Sequence, residues 1–161
     1  MKSRIALFGF ILLVGLSATA AAQTSASVIK LRPEQSSYRV KAGAATPVVL
    51  VVEISDGYHI NSNRPADKNL VATALKFDKL AGLSVSPVIY PRAKTQKFEF
   101  SPKPLSVYEG RATFKMTARA LATAAAGQQT LKGKLTVQAC NNQLCLRPQT
   151  VDVAIPIEVV K

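Results

Sequence analysis

The sequence predicts an all-β chain, an immunoglobulin-like antiparallel β-sandwich, and three features carry that expectation. Hydrophobic residues make up 48% of the 161 residues, too many for a disordered chain. Apolar positions recur with a period of two over most of the chain beyond residue 22. Gly, Pro, Asn and Asp interrupt that pattern often enough to delimit about seven or eight short strands.

At the N-terminus, Lys2 and Arg4 precede a twelve-residue apolar run, Ile5 to Leu16, and Ala20-Ala21-Ala22 supplies small residues that a signal peptidase accepts. Such a run spans about 18 Å as a helix, against a hydrocarbon core of about 30 Å. Residues 1–22 are therefore expected to be a cleaved secretory signal and not an anchor, with no Cys nearby to take a lipid. What remains is one domain, residues 23–161, whose net charge falls from +12 to +10 with the loss of Lys2 and Arg4. Residues 23–36 are polar and read as a partly ordered lead-in.

The strands follow in order. Tyr38 to Lys41 alternates, and Val48 to Ile54 is a nearly continuous β-branched run. His59 falls on a further short strand beside Tyr58, and Leu70 to Phe77 and Leu83 to Tyr90 are bounded by turn residues. Ala112 to Arg119 sets Phe114, Met116 and Ala118 against Lys115, Thr117 and Arg119. Leu131 to Ala139 sets Leu131, Gly133, Leu135 and Val137 against Lys132, Lys134, Thr136 and Gln138, and Val151 to Val159 closes the set. Only Arg119 to Ala126, rich in Ala and ended by Gly127, offers a helical turn, and it sits between two strand patterns where a loop serves equally well.

Several functions are excluded or disfavoured. The apolar stretches after residue 22 are short and broken by proline or charge, so the domain is not expected to be embedded in a membrane. The Lys and Arg are spread singly along strands and the chain has 6 Phe, 4 Tyr and no Trp, a poor match to a nucleic-acid surface. A basic face suits acidic protein partners or an anionic envelope surface instead. There is one His, no Gly-rich phosphate loop and no metal-spaced cluster, so neither a cofactor nor a metal is expected.

The chemistry then falls to Cys140-Asn141-Asn142-Gln143-Leu144-Cys145, followed by Leu146-Arg147-Pro148. In an oxidising compartment the two cysteines default to a disulfide. A loop of about six residues gives a bridge worth roughly 2 kcal/mol, a small return for a staple. A local, solvent-reachable pair suits thiol–disulfide exchange. Local bridges are also ordinary in secreted domains, so on spacing alone a structural clip in a non-catalytic binding or scaffold module is the leading reading, with exchange beside it.

Four segments in order resemble a known family: Gly57-Tyr58-His59-Ile60-Asn61-Ser62-Asn63-Arg64-Pro65, Leu105-Ser106-Val107-Tyr108-Glu109-Gly110, the alternating strand after it, and Leu135 to Cys145 with Pro148. Together they look like the N-terminal domain of the thiol:disulfide interchange protein DsbD, over about Val28 to Val159. The resemblance implies a periplasmic immunoglobulin-like domain that passes reducing equivalents between a membrane-embedded donor, here on a separate chain, and thioredoxin-fold acceptors, including those of cytochrome c biogenesis. It would act as a protein thiol–disulfide oxidoreductase, most simply as a monomer. Carried over residue by residue, Cys140 and Cys145 are the redox pair. Val107, Tyr108, Glu109 and Gly110 form a cap loop, with the Tyr108 ring over the sulfurs. An aromatic lid of this kind excludes water and stray thiols, and a loop ended by glycine can swing aside. The C-x4-C spacing falls within the family's range but is shorter than in its best-known member, and Ser106 and Val107 stand where that member has acidic residues before the cap aromatic.

His59, Asn61 and Arg147 complete the expected rim. A cationic His59, or Arg147 beside Cys145, would favour a thiolate. A solitary His or an exposed Arg is more often plainly structural or solvated, and Asn61-Ser62-Asn63 also reads as a turn, with Arg64 at its end.

Overall fold

A computed structural model describes residues 23–161, and the expected signal segment lies outside them. Its longest pairings are the ones the alternation foretells. In β9 (Arg111–Ala120), Ala112, Phe114, Met116, Ala118 and Ala120 are buried while Arg111, Lys115 and Arg119 face solvent. This strand pairs antiparallel with β3 (Ala45–Ile54) from Ala45↔Arg119 to Glu53↔Arg111. With β1 (Ile29–Pro33) and β6 (Leu83–Val85) on the flanks, the first sheet runs β1-β3-β9-β6.

The second sheet is built on β10 (Gly127–Val137) and β12 (Gln149–Val160), antiparallel from Gly127↔Val159 to Val137↔Gln149. Its flanks are β5 (Ala74–Phe77) and β2 (Tyr38–Lys41), and β2 runs parallel to β12, an exception to the expected antiparallel pairing. Inward residues of both sheets, among them Val48, Leu50, Phe114, Leu135, Ile155 and Ile157, form one core. The result is the expected immunoglobulin-like β-sandwich. Tyr38, 1% exposed, ties the layers: its hydroxyl donates to the Val49 carbonyl at 2.8 Å and accepts the Val49 N–H at 3.1 Å.

A third sheet, β11-β4-β8-β7, sits at one end: β11 (Ala139–Cys140), β4 (His59–Asn61), β8 (Leu105–Glu109) and β7 (Lys94–Gln96). The chain enters it from the second sheet across Gln138 and leaves it for the first sheet across Gly110. Gly110 has φ 62°, a left-handed turn that side-chain-bearing residues avoid, and its carbonyl accepts the Ile54 N–H at 2.7 Å.

Several expectations are corrected. The lead-in is not loose: Val28 and Ile29 are buried and β1 pairs with β3, because an edge strand needs only a long-range partner that local sequence cannot reveal. Leu70 to Phe77 contracts to β5, and Leu83 to Tyr90 contracts to β6, since Pro87 lacks the N–H needed to continue the ladder. Ile89 then bridges Lys115 alone. The Ala-rich stretch after Arg119 is a turn, and the described residues contain no helix, hence none long and apolar enough to cross a membrane.

Gly133 explains why β5 can dock on β10. A Cβ there would lie 2.5 Å from the Lys76 carbonyl oxygen and 2.8 Å from the Phe77 ring. Gly133→Ala is expected to force β5 outward and cost about 1–3 kcal/mol, read as a lower urea midpoint with an unchanged slope.

Candidate functional site

Cys140 and Cys145 are joined in a disulfide, with Cα atoms 3.9 Å apart. They face each other across a tight hairpin closed by Asn141 N–H to Leu144 O at 2.9 Å and Leu146 N–H to Ala139 O at 2.8 Å. Its Asn142-Gln143 tip is shaped by the Asn141 side chain, whose Oδ1 accepts the N–H groups of Gln143 (2.8 Å) and Leu144 (2.9 Å). Four residues between the cysteines are thus what a two-residue tip needs to set them opposite each other. Cys140 is fully buried, whereas Cys145 is half-buried and Leu144 beside it is 49% exposed.

Register decides which residues accompany the sulfurs. Cys140 opposes His59, and His59 opposes Glu109. Directly opposed residues in an antiparallel sheet share a face, with Cβ atoms about 5 Å apart. Cys145, Cys140, His59 and Glu109 therefore form one row on the outer face of the third sheet. Ala139, Ile60 and Tyr108 form the adjacent row on the inner face, against the main core.

This overturns the expected cap. Val107–Glu109 belong to β8, and the Tyr108 ring is 3% exposed, edge-on to Phe114, on the face opposite Cys140. Its hydroxyl donates to Asn63 Oδ1 at 2.7 Å, and burial raises its pKa. Tyr108 is a core residue because alternation along a strand buried on both faces sends Val107 and Tyr108 in opposite directions. Glu109 belongs to the sulfur row and is paired with Lys94 at 3.2 Å.

The aromatic cover comes from a segment that sequence reasoning missed, the β7–β8 connection Lys97–Pro104. Phe98 stacks on the His59 ring at 3.9 Å, with Phe100 behind it at 5.7 Å from Phe98. With Leu105 and Val107 they form a second apolar cluster on the outer face. Lys97 Nζ braces the loop by donating to the carbonyls of Ser101 (2.8 Å) and Pro102 (2.5 Å). The signal available in the sequence was Lys97-Phe98-Glu99-Phe100, a charge–aromatic alternation before a Pro-rich turn.

Asn61, fully buried, is structural: its Nδ2 donates to Val71 O and to Gln138 Oε1, each at 3.1 Å. The Arg147 side chain is exposed, and the contact Arg147 makes with the hairpin is through its carbonyl, which accepts the Ser25 hydroxyl at 2.6 Å. Ser25 Oγ in turn accepts the Ala139 N–H at 3.0 Å, so the chain just before β1 clasps both arms of the cysteine hairpin. His59 is 2% exposed and its Nε2 has no partner. Burial lowers its pKa to about 4, with Glu109 opposing the shift, so it is neutral at pH 7 and cannot be the expected cation. It lines a cleft of about 310 Å³ with Asp56, Tyr58, Gln96, Glu109 and Asn142.

Residues 28–156 match the family model described as the N-terminal part of the thiol:disulfide interchange protein DsbD. No curated protein matches the sequence. Among solved structures, the fold is similar to the N-terminal periplasmic domain of ScsB from Proteus mirabilis, with a TM-score of 0.56 at 16% identity. That match covers 86% of this chain, which spans about half (49%) of the ScsB chain. Fainter likenesses, with TM-scores of 0.37 at 11% identity, are to a family 123 glycoside hydrolase from Clostridium perfringens and to AggA, a fimbrial subunit from Escherichia coli. They cover 83% and 82% of this chain, and 27% and 94% of theirs.

The depressed His59 pKa makes stability depend on pH. Between about 6.5, where an unfolded His titrates, and about 4, the unfolded chain binds a proton that the folded one refuses. Stability should therefore fall as pH drops through that window, by about 1–2 kcal/mol once solvent access through the cleft is allowed for. Denaturant melts of the oxidised protein at pH 7 and 4.5 should show this loss, and His59→Gln should remove most of it.

Proposed function

The chain belongs to the family of the N-terminal domain of the thiol:disulfide interchange protein DsbD, and from that membership we propose that it is a periplasmic thiol–disulfide interchange protein whose exchanging pair is Cys140–Cys145. One observation carries this reading: the two sulfurs differ in access, Cys140 fully buried and Cys145 half-buried on the outer arm of an edge hairpin. Exchange requires a thiolate to approach one sulfur while the other departs. The incoming thiolate attacks Sγ of Cys145, a new S–S bond forms to the partner, and Cys140 leaves with the electron pair. A clip would need no such asymmetry, and a bridge over so short a loop adds little to stability.

The Phe98 loop supports the same reading. Stacked on the residue opposite Cys140, it keeps water and small thiols from the buried sulfur until a partner moves it aside. Proteins of thioredoxin fold, which present a reactive thiolate on a convex surface, are the partners assigned to this site, with a membrane-embedded donor upstream and acceptors that include the cytochrome c maturation machinery. The basic surface favours acidic partners, and their docking rates should fall with added salt.

Two measurements test the proposal. Cys140→Ser, which leaves the reachable thiol unresolved, should accumulate a mixed disulfide with a thioredoxin-fold partner, and Cys145→Ser should not. The pair should have a reduction potential in the exchanger range of roughly −120 to −270 mV. A value below about −300 mV, with no trapped partner, would make the bridge a structural clip. Phe98→Ala should leave the potential nearly unchanged and speed reduction by a small dithiol several-fold, measured by free-thiol release.

A further inference from the structure

A buried thiol in apolar surroundings is a poor nucleophile, because desolvation favours its protonated form. Cys140 is such a group: it is fully buried, and Phe98 packs on the His59 ring next to it. Yet any cycle in which this pair reduces a partner requires Cys140 to become a thiolate, since it must attack Sγ of Cys145 to release the mixed disulfide. A base must lie on its face of the sheet.

The row across the third sheet supplies one. We propose that His59 is the proton acceptor for Cys140 in the reduced protein, with Glu109 on the next strand as the positioning residue that offsets the charge the imidazole then carries. His59 is the only histidine of the chain and lies directly opposite Cys140. Its Nε2 is buried without a partner while the cysteines are joined. A disulfide has no proton to give and is a feeble acceptor, so an idle nitrogen beside it is what a thiol's base looks like in the oxidised state.

The other groups around His59 fit this role. Glu109 faces it from β8 and is itself held by Lys94 of β7. Asp56 and Tyr58 line the same cleft from the preceding turn, and Lys97 and Glu99 flank Phe98 on the covering loop, both exposed. The nearest full charge on the row is thus a carboxylate, which favours imidazolium.

The step balances. The Cys140 thiol gives its proton to His59, and the resulting thiolate attacks Sγ of Cys145. The bond between Cys145 and the partner sulfur breaks, and the electron pair leaves on that sulfur, which recovers the proton from His59 or from water. The cysteine pair is oxidised by two electrons and the partner's disulfide is reduced. This assignment rests on the exchange reading given above, and it deepens it by naming the base.

The test uses the single imidazole as its own reporter. Proton NMR of the whole secreted protein follows the His59 ring from pH 3.5 to 9, first oxidised and then reduced with a phosphine. The oxidised form should titrate near 4, and the reduced form about two pH units higher. Cys140→Ser should abolish that rise, Cys145→Ser should keep it, and Glu109→Gln should shrink it. In a Cys145→Ser background, His59→Gln should raise the Cys140 thiol pKa by about one unit, a tenfold loss of thiolate absorbance at neutral pH. An imidazole that titrates alike in both oxidation states, a comparison needing no variant, overturns the assignment and leaves partner trapping, and with it the exchange reading, untouched. A rise that survives Cys140→Ser overturns it as well.

Discussion

Everything distinctive about this domain depends on a pairing only two residues long, Ala139↔Ile60 and Cys140↔His59. Strand side chains alternate faces, so a slip of one residue would turn Cys140 into the core and bring Ala139 out opposite His59 or Asn61. Two ladder positions are too few to hold a register by themselves, and hydrogen bonds on both sides reinforce them. Asn61 N–H reaches the Gln138 carbonyl at 3.2 Å, and the Gln138 side-chain oxygen collects Asn61 Nδ2 at 3.1 Å and the Val71 N–H at 2.9 Å. Ser25 fastens the other side, between the Ala139 N–H and the Arg147 carbonyl. Each bond is worth about 1 kcal/mol net, but a buried donor left unmet by a slip would cost about 1–3, and that difference is what fixes the register.

The same register gives the third sheet two unlike faces. Inside, Ile60, Tyr108 and Ala139 continue the sandwich core; outside, Phe98, Leu105 and Val107 make a small cluster of their own. Burying each of these three on the outside contributes about 1.5–3 kcal/mol. Against that stand two unpartnered buried atoms, His59 Nε2 and Asn61 Oδ1, at about 1–3 kcal/mol each. Only Phe98 of the three lies on the covering connection, so the burial that holds that connection down is comparable with the cost of one unmet atom. The main sandwich, with long ladders and a continuous core, is the rigid base on which such an element can open alone.

Strands buried on one face were legible in the sequence, because alternation of apolar and charged residues is a local signal: β9 announces itself through Lys115 and Arg119, β10 through Lys132 and Lys134, and β12 through Asp152 and Glu158. Apart from the short strand at His59, the third sheet was hidden for the converse reason. His59, Ile60 and Asn61 are all buried, and Leu105, Val107 and Tyr108 fill both faces of β8, so no period of two survives to be read. The two cysteines and their bridge were legible from spacing and compartment. Which aromatic shares the face of Cys140 was not, since only the parity of the register sends Tyr108 to the inner face while Phe98 stacks on His59 outside. The Ser25 clasp was equally out of sight, because it joins residues more than a hundred positions apart.

Parity also explains how one hairpin gives its two sulfurs different lives. In a sheet the row perpendicular to the strands is the direction in which side chains communicate, and here the row runs from solvent inward: Cys145 at the open arm, Cys140 against the next strand, then an imidazole, then a carboxylate tied to Lys94. Cys145 is half-buried, whereas Cys140 and the His59 ring behind it are both buried. Charge is thereby kept out of the middle while the bridge is closed, since desolvation holds the imidazole neutral and the disulfide carries none. Opening the bridge introduces an acidic proton where none existed, on a buried sulfur that faces the imidazole. The end of the row that faces a partner and the end that holds the fixed carboxylate are then linked through a single neutral ring, which makes the oxidation state of the sulfurs and the protonation of the sheet one coupled quantity.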